Sequence, residues 1–139
     1  MKFSFEIQKT DMGVIIKPIY SSDAEELAKL KQNTRYRVDI KQDRNNKFTR
    51  KCFALARLGY DNQERFNNFR AYRKNLTIKA GFFESYEINE SIAMIADSWA
   101  ESETDQIKME EIFKGILGVL SYELDTAPEL IKEQLEHYM

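Results

Sequence analysis

The first twenty residues alternate apolar and polar side chains with the two-residue period of a β-strand. Phe3, Phe5 and Ile7 are separated by polar residues, and a second apolar run follows the turn-like residues TDMG. Alternation on both sides of a turn predicts an antiparallel β-hairpin. Because proline cannot donate to a β-ladder, Pro18 indicates that the second strand ends there or lies at a sheet edge.

A helix pattern and then a strand pattern follow the hairpin. Ser22 and Glu25 have the spacing of a capping box, which predicts a short helix over DAEELAKLKQ. The sequence TRYRVDIK, residues 34–41, then alternates apolar side chains with charged ones that are mostly basic. This alternation predicts a half-buried strand whose outer face carries positive charge.

Two helices are predicted in the middle of the chain. The first follows the polar loop QDRNN, where an apolar stripe recurs at helical spacing. The stripe consists of Phe48, Cys52, Leu55 and Gly59. Arg50 and Arg57, seven residues apart, share another face of this helix. A similar stripe predicts the second helix over residues 64–80, which Gly81 is placed to end.

The last third of the chain predicts a hairpin and two further helices. Residues 82–96 fit two short strands around the dipeptide NE, although the second half also fits a helix. A long helix is predicted over residues 105–124, with Ile107 on its buried side. Thr126 and Glu129 have capping-box spacing at the start of a final helix.

The order of these elements predicts an α+β fold. We expect residues 1–139 to form a single globular domain, with an N-terminal hairpin and a short mixed sheet packed against several helices. The pattern corresponds to roughly five strands and five helices.

Charge is distributed very unevenly along the chain. The net charge of −2 conceals a basic central segment, residues 29–80, with fifteen Lys and Arg against four Asp and Glu, a net charge of +11. The acidic C-terminal segment, residues 81–139, has three Lys against fourteen acids, a net charge of −11. Such asymmetry indicates either a nucleic-acid-binding face or two segments that pair with each other.

The composition favours a soluble protein of a reducing compartment. The single cysteine, Cys52, allows no internal disulfide, and its place on the apolar stripe favours a buried thiol over a nucleophile. No apolar run is long enough for a signal peptide or a membrane span, so we expect no membrane partner.

Most catalytic arrangements are excluded by residue types. The single histidine, His137, supports no His-based metal cluster, dyad or triad, and the five glycines lack phosphate-loop spacing. We therefore expect no cofactor and no enzyme. An alternative is a metal-dependent nuclease, in which Asp39 would hold a divalent ion and Lys41 would polarise water.

The basic segment better supports binding of a single-stranded nucleic acid. Such a ligand needs cations spaced for phosphates and aromatic faces for bases, and a helix N-terminus favours anions. The residues predicted to bind are Arg44, Asn45, Lys47, Arg50, Lys51, Arg70, Arg73 and Lys74. Trp99 lies outside this set, and it fits a structural anchor at the core edge better than a stacking platform for a base.

The segment also resembles a known family. A strand ending in VDIK, the loop QDRNN and a helix opening KFTRKCFALARL are similar to a phage family of unknown function found near recombination genes of lambda-like phages. The similarity continues through FRAYRKNLTIKAGF and DSWAESETDQIKMEEIFKGILGVL, and covers most of residues 30–122.

The same strand, loop and helix are more distantly similar to the NinB (Orf) recombination mediators. In that family the loop and helix carry an RS..QNR pattern, and Arg44, Asn45 and Arg50 occupy comparable places, whereas the Gln is missing. The resemblance implies single-stranded DNA binding, a homodimer, contact with single-strand-binding protein and no catalysis. It also implies a location in the cytoplasm of a bacterial host.

Two functions are therefore expected. The first is a phage-type single-stranded DNA-binding accessory protein of recombination or replication. The alternative is a small interaction protein that inhibits or adapts a host factor through its acidic C-terminal half, residues 81–139.

Overall fold

The structure, a computed structural model, describes residues 2–138, in which four β-strands and five α-helices are formed. The strands are β1 (Phe5–Thr10), β2 (Gly13–Pro18), β3 (Phe83–Ile88) and β4 (Ser91–Ala96). The helices are α1 (Ser21–Ala28), α2 (Asn46–Asp61), α3 (Phe69–Lys79), α4 (Gln106–Glu123) and α5 (Pro128–Leu135), followed by a 3₁₀ turn (Glu136–Tyr138). The chain divides into two compact units, Met1–Asp39 and Ile40–Met139.

The first unit contains the predicted N-terminal hairpin. Strands β1 and β2 pair antiparallel, from Phe5 opposite Pro18 to Thr10 opposite Gly13, and α1 follows. The prediction that Ser22 caps this helix is wrong. Helix α1 begins at Ser21, its N-cap residue is Tyr20, and no side chain caps it. None of the described residues 2–39 is buried, so this unit has no core of its own.

The strand expected at residues 34–41 is not formed. Alternation fixes which side chains share a face, but a strand also needs a neighbour for its backbone N–H and C=O groups. Among residues 2–138, no segment pairs with this one. Its apolar side chains Tyr36, Val38 and Ile40 are accordingly about half exposed, at 49%, 59% and 53%.

In the second unit, α2 forms where the apolar stripe predicts it. Asn45 is the N-cap, and its side-chain oxygen accepts hydrogen bonds from the backbone N–H groups of Lys47 and Phe48. Such a cap satisfies two of the donors that a helix leaves unpaired at its start. Cys52, Leu55 and neighbouring residues of the stripe are buried.

Helix α3 begins at Phe69, five residues later than the predicted start at residue 64. The delay has a local cause. The Gln63 side chain accepts from the Phe66 backbone N–H at 2.7 Å and donates to the Phe66 carbonyl at 2.9 Å. These bonds hold the residues before α3 in a loop, and Asn68 then caps the helix.

The predicted hairpin around NE is confirmed. Strands β3 and β4 are antiparallel, with Ile88 opposite Ser91. Asn89 and Glu90 both have positive φ, 49° and 66°, as a two-residue turn between twisted strands requires. The α+β class is confirmed too, although the strands form two separate antiparallel pairs rather than one short mixed sheet.

The core of the second unit lies among α2, α3, α4 and α5. Its fully buried residues include Leu55, Leu58, Leu76, Met109, Ile112, Ile116, Leu120, Ile131 and Leu135. Two details differ from expectation. Ile107 is 48% exposed, because it faces away from these helices. Ala127, not Thr126, is the N-cap of α5, and the Thr126 hydroxyl donates to the Leu124 carbonyl.

No helix within residues 2–138 is long and apolar enough to cross a membrane.

Candidate nucleic-acid interface

A groove with a volume of about 690 Å³ runs along one face of α2. It combines three cations with three aromatic side chains and one alanine. The lining residues of this α2 groove are Lys47, Arg50, Arg57, Phe53, Phe69, Tyr138 and Ala54. The spacing along α2 explains five of these residues, because residues three, four and seven apart share a helix face. Phe69 comes from α3 and Tyr138 from the 3₁₀ turn. Cations beside aromatic faces are the combination that binds phosphates and bases of single strands.

The side chains of this groove also contact one another. The Arg57 guanidinium lies over the rings of Tyr60 and Phe69, at 5.3 Å and 5.2 Å from their centroids. Arg57 Nε is 3.6 Å from an Asp61 carboxylate oxygen, and the Tyr138 hydroxyl donates to the other oxygen at 3.2 Å. The ion pair between Arg57 and Asp61 is exposed and contributes little energy. These contacts orient the Arg57 guanidinium but do not use all of its N–H groups.

A second groove, of about 390 Å³, lies beside α3 and shares Phe53 with the first. The lining residues of this α3 groove are Phe53, Arg70, Arg73, Lys74, Thr77 and residues 96–100. The structure thus brings the predicted Arg70, Arg73 and Lys74 together. The two grooves share Phe53, and together they are lined by six cations.

Arg73 is half-buried, whereas the other five cations of the two grooves are exposed. Its guanidinium stands over the rings of Phe53 and Trp99, 4.9 Å and 5.1 Å from their centroids. Burial and then the charge of Arg70 lower the pKa of Arg73. Its buried Nε has no hydrogen-bond partner among the described residues. Stacking on aromatic faces still leaves the other N–H groups able to donate to a phosphate.

Lys51 lies on a different face of α2. Its ammonium is 5.2 Å from the centroid of Phe113, in a groove of about 460 Å³ that also contains Lys47 and Lys132. Glu133 and Glu136 line the same groove, so its charge is mixed. The structure therefore does not place Lys51 beside Arg50, although the two are neighbours in sequence.

Arg44 and Asn45 have structural partners. Arg44 donates to the carbonyls of Trp99 and Thr104 and to the Thr49 hydroxyl, each at 2.9 Å. Asn45 caps α2 as described above, and its backbone N–H donates to Gln106 Oε1 at 2.9 Å. Both residues hold the start of α2 in place, and neither lies in the α2 groove.

Trp99 is a structural anchor, as its sequence context favours. The side chain is only 6% exposed, and its Nε1–H donates to the Thr77 hydroxyl at 3.1 Å. Its ring meets Phe53 edge to face, with centroids 5.2 Å apart. A base could therefore not stack on Trp99 without displacing these contacts.

Cys52 is a buried thiol with 1% exposure, and burial raises its pKa to about 12. A thiol held protonated in this way is a poor nucleophile. Residues 2–138 contain no group of three His, Cys, Asp or Glu side chains placed to hold a metal ion. Asp39 and Lys41, the nuclease alternative, lie in the segment that forms no strand.

The basic and acidic segments scarcely pair with each other. Of the ion pairs within residues 2–138, one joins the two segments, Lys79 with Glu123 at 2.6 Å. The cations that line the two grooves, apart from Arg57, have no carboxylate within 4 Å in the described chain. The positive charge of Lys47, Arg50, Arg70, Arg73 and Lys74 is thus not neutralised by an ion pair within the described residues.

Five residues of the α2 groove were not in the predicted set: Phe53, Ala54, Arg57, Phe69 and Tyr138. Helical spacing from Arg50 was a signal for Phe53 and Arg57. No sequence signal pointed to Tyr138, because its position depends on how the 3₁₀ turn packs against α2.

We found no match to this chain among protein-family models, curated proteins or solved structures.

Proposed function

We propose that this chain is a single-stranded DNA-binding accessory protein of the phage type, acting in recombination or replication. The α2 groove is the observation that carries the proposal. Lys47, Arg50 and Arg57 line it together with three aromatic side chains. Phosphates of a single strand would contact the cations, while bases would lie against the aromatic faces.

The α3 groove extends the proposed path. Arg70, Arg73 and Lys74 line it, and it shares Phe53 with the α2 groove. Unpaired bases can be splayed onto aromatic rings, whereas a duplex keeps its bases stacked inside. Grooves that alternate cations with rings therefore favour single strands over duplexes.

The partners of the proposal are single-stranded DNA, a second copy of the chain and single-strand-binding protein. The last partner rests on the resemblance to the NinB (Orf) family alone. No enzymatic activity is proposed.

The alternative function is supported by the exposed acids of the C-terminal half. Glu101, Glu103, Glu110 and Glu111 are exposed, and none has a cation within 4 Å in residues 2–138. An inhibitor or adapter could use this surface to contact a basic host factor.

Titration of a labelled single-stranded oligonucleotide at several salt concentrations separates the two functions. The proposal expects binding whose log Kd rises with log salt at about 0.7 per phosphate contact. A duplex of the same length is the control and should bind more weakly. Absence of binding to either ligand at low salt would overturn the proposal and leave the adapter function.

A further inference from the structure

The β3–β4 hairpin exposes apolar side chains on both of its faces. Each of these side chains is between 37% and 71% exposed, and they are Phe83, Tyr86, Ile88, Ile92, Met94 and Ile95. Contiguous apolar surface of this kind marks interaction sites more often than bare monomer surface. An isolated two-stranded hairpin is marginally stable, and here β4 also packs against α3.

Strand β4 has an open edge. The Asp97 N–H donates to the Phe82 carbonyl at 3.1 Å, directly beyond the paired strands. Since antiparallel hydrogen bonds alternate along a strand, the backbone groups of Ile92, Met94 and Ala96 point away from β3. Within residues 2–138, no backbone group outside β3 is hydrogen-bonded to β4.

The sequence of β4 lacks the features that protect strand edges in monomers. Charged side chains and proline on an edge discourage pairing with another chain. The other three strands carry them: Glu6 and Lys9 in β1, Lys17 and Pro18 in β2, and Glu84 and Glu87 in β3. Strand β4, SIAMIA, has neither charge nor proline. Its edge is thus the one most suited to pairing.

We propose that β4 pairs antiparallel with β4 of a second copy, which gives a four-stranded sheet in the order β3–β4–β4–β3. A two-fold axis perpendicular to the sheet keeps equivalent faces on the same side, as closed dimers require. An uncharged strand can pair with itself without placing like charges opposite each other. Ile92 and Met94 then come close to the same residues of the second copy.

Charge complementarity at the ends of the paired strands favours a second copy as the occupant. With the two-fold axis at Ala93 or Met94, Glu90 of one copy lies opposite residues 96–98 of the other. Those residues line the α3 groove together with Arg70, Arg73 and Lys74. They include one acid, Asp97, whose carboxylate is already paired with Lys108 at 3.0 Å. The exposed carboxylate of each turn thus approaches a rim on the second copy where three cations outnumber one neutralised acid. This dimer does not depend on nucleic-acid binding.

Light scattering from low to high micromolar protein, without nucleic acid, tests the dimer. The variant Ile92→Lys/Met94→Lys places like charges at the paired edge and should be a monomer. The matched control, Tyr86→Lys/Ile88→Lys, changes β3 residues of similar exposure and should remain a dimer. A wild-type chain that is monomeric throughout, or a dimer that survives the β4 change, overturns the proposal.

Cross-linking gives an independent test if the lysine variant does not fold, as circular dichroism would reveal. A short bismaleimide should join two copies of Met94→Cys, because β4 lies next to its symmetry mate. It should not join Tyr86→Cys, because β3 is on the outside of the four-stranded sheet. The native Cys52 is buried and stays unmodified. Equal cross-linking of both variants would also overturn the proposal.

Discussion

Arg44 donates a hydrogen bond of 2.9 Å to the backbone carbonyl of Trp99, a residue 55 positions further along the chain. The same guanidinium nitrogen reaches the Thr104 carbonyl, and the other terminal nitrogen reaches the Thr49 hydroxyl. Arg44 thereby fastens the loop before α4 to the first turn of α2. Arg44 therefore holds in place the helix that carries the α2 groove, and it does not line the groove itself.

Replacing Arg44 by Ala should therefore lower stability. We expect a loss of about 1.5 to 3 kcal/mol, since hydrogen bonds to a charged group are removed and two carbonyls are left unpaired. Arg44→Lys should not restore stability, because an ammonium lacks the planar fork that reaches three acceptors. Denaturant unfolding measures the change, with the exposed Arg65→Ala as control. Wild-type stability combined with a flatter salt slope would instead make Arg44 a phosphate contact.

Trp99 gives a second prediction about stability. Trp99→Ala should destabilise the chain by about 3 to 5 kcal/mol, the usual effect of truncating a large buried aromatic residue. Because Trp99 is the single tryptophan and is buried, oligonucleotide binding should quench its fluorescence only weakly. Tyr122→Ala, at a site that is 90% exposed, is the control for stability. Strong quenching by the oligonucleotide would contradict the anchor role.

Local periodicity is what the sequence predicts best. Helices α2 and α4 follow their apolar stripes, and β3–β4 follows from the NE turn, because these patterns depend on near neighbours. The segment 34–41 shows the limit of alternation. Its pattern is that of a strand, but strand formation depends on a partner elsewhere in the chain.

The residues of the candidate site could also be predicted only in part. Charge along the sequence pointed to Lys47, Arg50 and the three cations of α3, which the structure places in two grooves that share Phe53. Charge alone could not separate Arg44 from them, because its partners at Trp99 and Thr104 are distant in sequence. In the sequence alone, a cation on the surface cannot be distinguished from an arginine that links two distant segments, because the distinction depends on long-range contacts.

Two glycines offer a matched pair of tests for core packing. A Cβ atom added to Gly59 would lie 2.4 Å from the Tyr72 hydroxyl and 2.7 Å from a Leu120 methyl group. Gly59→Ala should thus cost about 1 to 3 kcal/mol of stability through overpacking. Gly118→Ala meets nothing within 4 Å and should stabilise α4 by about 0.5 to 1 kcal/mol. Thermal melting measures both, and effects of equal sign would contradict this packing of α2 against α3 and α4.

Stability should fall at alkaline pH because two buried groups resist ionisation. Burial raises the pKa of Cys52 from 9.0 to about 12, and burial and then the charge of Glu123 raise the pKa of Tyr72 from 10.0 to about 12. In the unfolded chain both groups ionise at their ordinary pKa, whereas the folded chain keeps them neutral. Their contribution is complete below about pH 9 and is lost progressively up to about pH 12.

Denaturant unfolding on both sides of pH 9 measures this loss. Cys52→Ala should have a shallower alkaline decline than the wild type, with the Tyr72 contribution remaining. Cys52 should also react with iodoacetamide only after unfolding. Rapid alkylation of the folded chain near neutral pH would contradict the burial of this thiol.

The α2 groove makes the most direct prediction about binding. Replacing Arg50 and Arg57 together by Ala removes two cations from one groove, whereas Lys51 faces another. Affinity for the single-stranded oligonucleotide should fall, and the log–log salt slope should flatten by up to about 1.4, at roughly 0.7 per contact. Stability should fall by about 1 to 2 kcal/mol, since Arg57 loses an exposed pair with Asp61 and exposed contacts with the Tyr60 and Phe69 rings, each a contribution of less than about 1 kcal/mol.

A control with the same change of net charge decides how this result is interpreted. Arg65→Ala/Lys114→Ala removes two exposed cations that line neither groove. This control variant should keep the wild-type salt slope. The slope depends on the cations that contact phosphates, and the control removes none of the proposed contacts. Equal weakening by both pairs would mean that the chain attracts DNA only through its charge. A groove variant that melts earlier but binds like the wild type would mean that the basic segment serves folding, and the α2 groove would lose its proposed role.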